Sequence, residues 1–356
     1  MARIVTIRTV AERAGCSIAT VSRVINRSAP TSADVEARVN AAIAELGFRP
    51  SEIGRALKTL RTRTLGVLIP SLTNPVFAAS VAGMQAAARA RRHTLLLTAT
   101  DYDPGAEAEL VETLVAQNVA GLVLTVADAD RNGTLDLLDA ENIPYVLVHN
   151  EPQGEGRAAV CVDNAAATFA LTEAMIAAGH RRIAYLAGRF ATSDRSRRRY
   201  EGHCAAMAAA GLAASAPLEL DYLGEAPGHA EALAGLFASS APPTAALCSN
   251  DLLALSVIGA LRDLGLKVPR DVSVAGFDGI ALGRAMSPTL ATVDTPTRPM
   301  GERAVDMLFE MIEGGAAPRV ERLPFAIRPG GTLAAAPADR RPRADGAPSP
   351  SSAPTP

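Results

Sequence analysis

The sequence predicts a small all-α head carrying a helix-turn-helix, followed by an α/β core of two doubly wound lobes built on parallel sheets. Three observations support this. Thr6 to Asn26, TIRTVAERAGCSIATVSRVIN, reads as two short helices joined by a tight turn. From Leu65 onward, short continuous apolar runs alternate with helical segments, the pattern of parallel strands covered on both faces. Charge is also divided: residues 1–63 hold 11 Lys/Arg against 5 Asp/Glu, and the remainder holds 24 against 32. A basic head on an acidic body suits a polyanion at one end only.

In the head, Val10, Ala11 and Ala14 give the first helix an apolar face at helical spacing. Gly15 is placed to take a left-handed turn after it, and Ser17 can cap the second helix. Val21 and Val24 point back to the first helix, and Ala11 is small where the two would cross. That spacing holds a second helix out for a DNA major groove; the plainer alternative is an ordinary αα-hairpin. Ser32 can cap a third helix, Ala33 to Glu45, which Gly47 closes, with Phe48 packed beneath. Residues 1–49 are thus expected to form a three-helix unit with a very small core.

The segment RPSEIGRALKTLRTRT at 49–64 follows. Ile53 and Leu57 lie four apart among Arg55, Lys58, Arg61 and Arg63, and Gly54 costs any isolated helix up to about 1 kcal/mol relative to Ala. It reads either as a basic tether or as a hinge that folds against DNA.

In the core, strands are expected at 65–70, 94–99, 121–126, 145–150, 182–188, 218–223 (an edge), 244–249 and 271–277. Helices are expected at 77–91, 107–117, 135–140, 165–178, 197–210, 230–238 and 252–264. A last helix at 299–312 and a strand at 323–327 are left over to cross back. The tail, 335–356, is rich in Pro, Ala, Ser and Arg and is expected to be disordered.

Hydrophobic residues make up 48% of the 356, enough for a globular chain, while aromatics are only 4% and Trp is absent, so Ala, Leu and Val must build the core. Cys16, Cys161, Cys204 and Cys248 form no CxxC pair, so no zinc or redox site is expected. No apolar run approaches a membrane span and no signal core opens the chain, which places the expectation in the cytoplasm, away from membranes. Nucleophile-elbow, phosphate-loop and HExxH patterns are missing, and the strand at 65–69 is followed by PSLTNP rather than GxGxxG. A binding protein without a cofactor is expected, not an enzyme.

Ligands of open parallel sheets bind outside the carboxyl ends of the strands. The residues that follow the strands are Ser71, Asn74, Thr98, Asp101, His149, Asn150, Arg189, Ser193, Arg199, Asn250, Asp251 and Asp278. Facing lobes would line a cleft with acids, amides and a few arginines, suited to a small polyhydroxy or charged ligand. Asn250 or Asp251 reads equally well as a helix cap, Asp278-Gly279 as a turn, and His149 as a satisfied loop residue. Most arginines of RSRRRY, 195–200, read as a solvated helix face with one or two turned inward.

The segments TIRTVAERAGCSIATVSRVIN, LGFRP, RALK, IPSLTNPVF, GHRRIAYLAG, SNDLLAL, VPRDVSVAGFDGI and SPTLATV resemble the lactose/galactose repressor (LacI/GalR) family of bacterial transcription regulators, from about Thr6 to about Arg328. The resemblance implies a periplasmic-binding-protein-like (type I) core. It implies base or groove contacts from Ile18, Ala19, Arg23, Leu57 and Lys58, with Leu57 entering the minor groove from both subunits of a dimer. Thr6, Ser17, Thr20, Ser22, Asn26 and Ser32 would bond phosphates. The effector cleft would comprise Asn74, Phe77, His149, Ser193, Arg199, Leu223 (or Tyr222), Asn250 and Asp278. His149 stands where the family often has Asp, Gly279 where a second Asp is frequent, and Gly54 where Ala is usual. The hinge would span 50–63 and the core 64–334, with lobe one at about 64–161 and 294–320 and lobe two at about 162–293 and 321–334.

Together these readings describe a homodimeric repressor that binds palindromic operator DNA under control of a small-molecule effector, a sugar or related polar metabolite. The rivals are a solute-binding protein of a transport system, which shares the two-lobe fold, and an enzyme.

Overall fold

The computed structural model describes residues 5–26, 29–48, 62–220 and 229–337. The chain divides into two compact units, Met1–Thr62 and Arg63–Pro356.

The first unit holds α1 (Ile7–Ala14), α2 (Ile18–Asn26) and α3 (Ala33–Leu46). Thr6 and Thr9 form a reciprocal cap at the start of α1, and Gly15 ends it at φ +63°, a conformation costly for any residue with a Cβ. Ser17 Oγ accepts the Thr20 amide at 3.1 Å and caps α2. Val10, Ala11, Ala14, Val21, Val24, Val39 and Ala42 form the buried core, with Phe48 packed against it. Ser32 occupies the N-cap position of α3, but its hydroxyl makes no capping bond; Asp34 and Glu36 supply negative charge to that first turn instead. The hinge expectation at 50–61, with Leu57 and Lys58, lies outside the described residues.

The second unit contains two six-stranded sheets. The first has the order β11-β5-β4-β3-β1-β2 and the second β12-β10-β9-β8-β6-β7. In chain order the elements are β1 (Thr64–Ile69), α4 (Pro75–Ala90), β2 (Thr94–Ala99), α5 (Glu107–Ala116), β3 (Leu122–Leu124), α6 (Gly133–Ala140), β4 (Tyr145–Val148) and β5 (Ala159–Cys161). The chain then crosses to the second sheet with α7 (Asn164–Ala177), β6 (Ile183–Gly188), α8 (Asp194–Ala209), β7 (Leu218–Leu220) and α9 (His229–Ala238). β8 (Ala245–Cys248), α10 (Asp251–Asp263), β9 (Ser273–Asp278), α11 (Ala281–Ala285) and β10 (Ala291–Asp294) follow. α12 (Thr297–Gly314) returns to pack on α4, and β11 (Val320–Arg322) joins the first sheet before β12 (Ala326–Arg328) joins the second. Three crossings therefore link the sheets. All pairings are parallel except β10 with β12.

The structure corrects several expected elements. Two short strands, β11 and β12, replace the single strand at 323–327, so Glu321 and Arg322 pair with the first sheet rather than the second lobe. β5, α11 and β10 are too short to leave a period in the sequence. The helix placed at 197–210 begins three residues earlier, because Ser193 Oγ accepts the Ser196 amide and starts α8 at Asp194. The expected tail begins too early: the Ala336 amide donates to Ala178 O at 2.8 Å, while 338–356 lie outside the described residues. All four cysteines are free.

α7 and α8 pack backbone to backbone. A Cβ on Gly202 would come within 2.1 Å of Ala165 O, so glycine there sets how deeply α8 sits. That depth decides where the arginines at its N-terminal end reach.

Candidate functional site

In the head, Val21 and Val24 face inward, which leaves Ile18, 44% exposed, together with Ala19 and Arg23 on the outer face of α2. Thr6, Ser17 and Ser32 are also exposed, and Thr20 and Ser22 are half-buried. The hydroxyls of Thr6 and Ser17 accept helix-capping amides and also share hydrogen bonds with the Thr9 and Thr20 hydroxyls at 3.1 and 2.9 Å, which fixes their positions. The Asn26 side chain lies outside the described residues.

In the core, Asn74, Phe77, His149, Ser193, Arg199, Asn250 and Asp278 line one cavity where the carboxyl ends of the two sheets face each other. Val76, Tyr102 and Arg195 complete its lining. Leu223 and Tyr222 lie outside the described residues. Ser71, Thr98, Asp101, Asn150, Arg189 and Asp251 do not line the cavity. Asp251 is instead an interior link, accepting the Thr292 hydroxyl at 2.6 Å and the Ile280 amide at 2.8 Å. A larger cavity, about 720 Å³, opens beside β4, but its Arg157 is committed to Asp136, Asp139 and Ala129 O. The smaller cavity holds the convergent polar groups.

From the first sheet, Asn74 caps α4 through the Val76 amide at 3.2 Å and donates through Nδ2 to the Tyr102 hydroxyl at 3.1 Å. Phe77 meets the His149 ring edge-on at 5.7 Å. From the second, Asn250 caps α10 through the Leu253 amide at 2.8 Å, so capping and lining are the same role. Arg199 donates to Asn164 Oδ1 at 2.8 Å and Ser249 O at 2.6 Å, stacks over Phe277 at 3.6 Å, and pairs with Asp278 at 3.6 Å.

His149 at φ +70° and Asp278 at φ +115° are strained non-glycine residues, one from each sheet. Such conformations cost about 1–3 kcal/mol and persist only where the surroundings hold them. Burial, helped by Arg195 and Arg199, lowers the His149 pKa to about 3 and keeps its ring neutral. Burial likewise raises Asp278 to about 6 against the pull of Arg199 and Arg195, and raises Asp251, which faces Asp278, to about 7.

A polar latch closes the cavity's side. Asp194 at the start of α8 accepts the Ala129 amide at 3.0 Å and Asn150 Nδ2 at 2.9 Å, while its own amide donates to Ala127 O at 2.7 Å. Arg195 donates to Val126 O at 2.8 Å, and Arg197 and Arg198 reach Asp128 at 3.0 Å and Asp130 at 3.6 Å. The expectation that one or two of these arginines turn inward holds, but the others are ion-paired rather than simply solvated. Arg195 and Arg199 turn inward, and the other two bridge to the loop after β3. The cavity is only about 20 Å³, room for a water or so, and a metabolite enters only if the sheets part.

Comparison with known proteins assigns both units. Residues 6–51 match the family model described as bacterial regulatory proteins, lacI family, and 172–333 match a periplasmic binding protein-like domain. The HTH-type transcriptional regulator GntR of Escherichia coli (strain K12) is 33% identical over 334 residues, covering 91% of this chain and 97% of that protein. The chain belongs to the LacI family. The ribose operon repressor of Escherichia coli (strain K12) is 34% identical over 86% of this chain and 93% of its own length. The crystal structure of the Lac repressor dimer bound to operator and the anti-inducer ONPF superposes with a TM-score of 0.83 at 28% identity, over 93% of this chain and 99% of that one.

This LacI-family chain is therefore a DNA-binding transcription regulator, and the transport-protein reading is not favoured. Its relatives are regulators rather than enzymes. Among the described residues no helix is long and apolar enough to cross a membrane.

The sequence reading missed Arg195, Asp194 and Tyr102. Arg195 sat in a charge run whose inward members only the helix phase reveals, and Tyr102 reaches Asn74 from a turn at φ +62°. Ser193 as a cap, three residues before Ser196, was the signal that would have phased the run.

Proposed function

We propose that the protein is a cytoplasmic, homodimeric repressor, not an enzyme. Its head reads palindromic operator DNA, and a small polar metabolite held between the two sheets controls that binding. The organisation that goes with this is a head at 1–49, a hinge at 50–63 and an effector core at 64–334. The observation that carries the proposal is the cavity: nine polar or aromatic side chains far apart in sequence converge at the facing strand ends of a chain that also carries a helix-turn-helix. A ligand changes DNA affinity only if it binds the parted and closed arrangements differently. The latch provides two such arrangements, because its bonds exist only when the sheets meet.

Ile18 and Ala19 bring no strong hydrogen bonder to the groove, so base readout rests on Arg23, apolar contact with thymine methyls and the Leu57 wedge. The test is a gel shift with the promoter region of the protein's own operon across a salt series. A specific shift that weakens steeply with salt is expected. Leu57→Ala should lose specific DNA binding by about tenfold or more while ligand binding persists. No specific shift, with or without added metabolites, overturns the proposal.

A further inference from the structure

Glu107 opens α5 and is only 5% exposed, yet it lines neither of the cavities described above. Burying a carboxylate is costly unless its oxygens are bonded, and both oxygens of Glu107 go to the connection between β3 and α6. Oε1 accepts the Ala127 amide at 2.6 Å, and Oε2 accepts Asn132 Nδ2 at 2.8 Å. Asn132 Oδ1 in turn accepts the Thr134 and Leu135 amides at 3.0 and 3.1 Å and caps α6. One buried side chain thus grips residues 127 and 132 and fixes the span between them.

That span is the first sheet's half of the latch. Ala127 O accepts the Asp194 amide at 2.7 Å, and the Ala129 amide donates to Asp194 Oδ2 at 3.0 Å. Asp128 and Asp130 meet Arg197 at 3.0 Å and Arg198 at 3.6 Å. Four consecutive residues therefore reach one end of α8, and a single backbone conformation must satisfy them together. Ala127 is bonded on both sides, its amide to Glu107 and its carbonyl to α8 across the cleft. Hydrogen bonds weaken steeply with distance and angle, so a slip of Ala127 away from Glu107 also loosens the contact with Asp194. Asn150 holds the neighbouring Val126 through two bonds of 2.9 Å, but it also bonds Asp194 and belongs to the latch itself. The hydrogen bonds of Glu107 lie on its own side of the cleft.

We infer that Glu107 is a positioning residue for closure, holding residues 127–132 in the conformation onto which the Asp194–Arg198 end of α8 latches. Without it, closing the sheets would also have to order this connection, and that cost would favour the parted arrangement. A side chain that makes no bond across the cleft thereby sets how readily the cleft closes.

The test is hydrogen–deuterium exchange, read by mass spectrometry on the full-length protein without ligand or DNA. Glu107→Ala should raise exchange in fragments covering 126–133 and 193–198 by about tenfold or more. Fragments from β8 and β9 should stay within about twofold of the unmodified protein. Glu107→Gln can still accept from Ala127 but meets Asn132 Nδ2 with a second donor. It should raise exchange by about threefold, and it decides the matter if the alanine variant does not fold. In an Asp194→Ala background the latch is already lost, so Glu107→Ala should add less than about twofold at 193–198. Unchanged exchange at 193–198 in both Glu107 variants overturns the proposal. So does a rise of equal size in β8 and β9, or one that Asp194→Ala does not diminish. None of these readouts needs an effector or an operator, so a failed gel shift overturns the regulator reading and leaves the role of Glu107 to be judged by exchange.

Discussion

The first sheet contributes a neutral wall to the cavity, Asn74, Phe77, Tyr102 and His149, whereas the second contributes Arg195, Arg199 and Asp278. The charged wall is itself of two kinds. Arg199 finds Asn164, Ser249 O, Phe277 and Asp278 on its own side and is fully organised whether or not the sheets meet. The Asp194–Arg195 pair finds Val126 O, Ala127 O, Ala129 and Asn150 only across the cleft. One pair of charges is therefore a fixture of the fold and the other a fixture of closure. A site of this design holds specificity constant while its closing energy can be tuned.

The comparison can be broken most severely at Arg199. Arg199→Ala leaves Asp278 buried without its cation and should cost about 3–5 kcal/mol in urea unfolding. Ligand response should be abolished, while operator binding should persist in a gel shift. A stability loss below about 1 kcal/mol would show that the second wall is not self-sufficient.

Asp194→Ala should cost less, about 3 kcal/mol, because parting the sheets lets water satisfy Asn150 and Arg195. Its larger consequence is geometric. Small-angle scattering of the variant should show an expanded core, and unchanged dimensions would remove the latch role.

His149 sharpens the contrast through pH. Its folded pKa of about 3 lies below the ordinary 6.5. As pH falls through 6.5 the unfolded chain takes up the proton first, so stability due to the neutral ring is lost progressively from pH 6.5 to pH 3. His149→Asn removes this loss. Relative to the unmodified protein, the variant should gain about 2 kcal/mol between pH 7 and pH 5 in paired denaturation curves. A pH-independent difference would place His149 in a solvated setting.

The smallest effect is expected where similar charges are exposed. Arg13 pairs with Glu45 at 2.7 Å on the head, but both side chains are more than half exposed. Arg13→Ala should change the melting of the head by less than about 1 kcal/mol. A larger loss would mean that the pair anchors α1 to α3 in a way the Val10–Val39 core does not.

Much of this molecule was legible in the residue pattern. The head followed from Gly15, Ser17 and the spacing of Val10, Val21 and Val24, because local geometry and periodicity agree there. The alternation of apolar runs and helices foretold two parallel sheets; reading the residues after each strand named six of the ten that line the cavity, and the family resemblance added Phe77. Three-residue strands such as β5 and β11 left no period to detect. The inward turn of Arg195 depended on a helix phase set by the Ser193 cap.

The amino-acid order alone determined the long helices and the central strands, and that a basic head precedes an acidic core. These are local properties, fixed by dihedral preference, capping and hydrophobic period. Only the tertiary structure decided which arginines face a ligand and which hold the sheets together. That choice depends on what lies opposite: Asp194 and Arg195 find partners 44 to 69 residues away. Pairing of that kind is set by how two sheets meet, and no local preference encodes it.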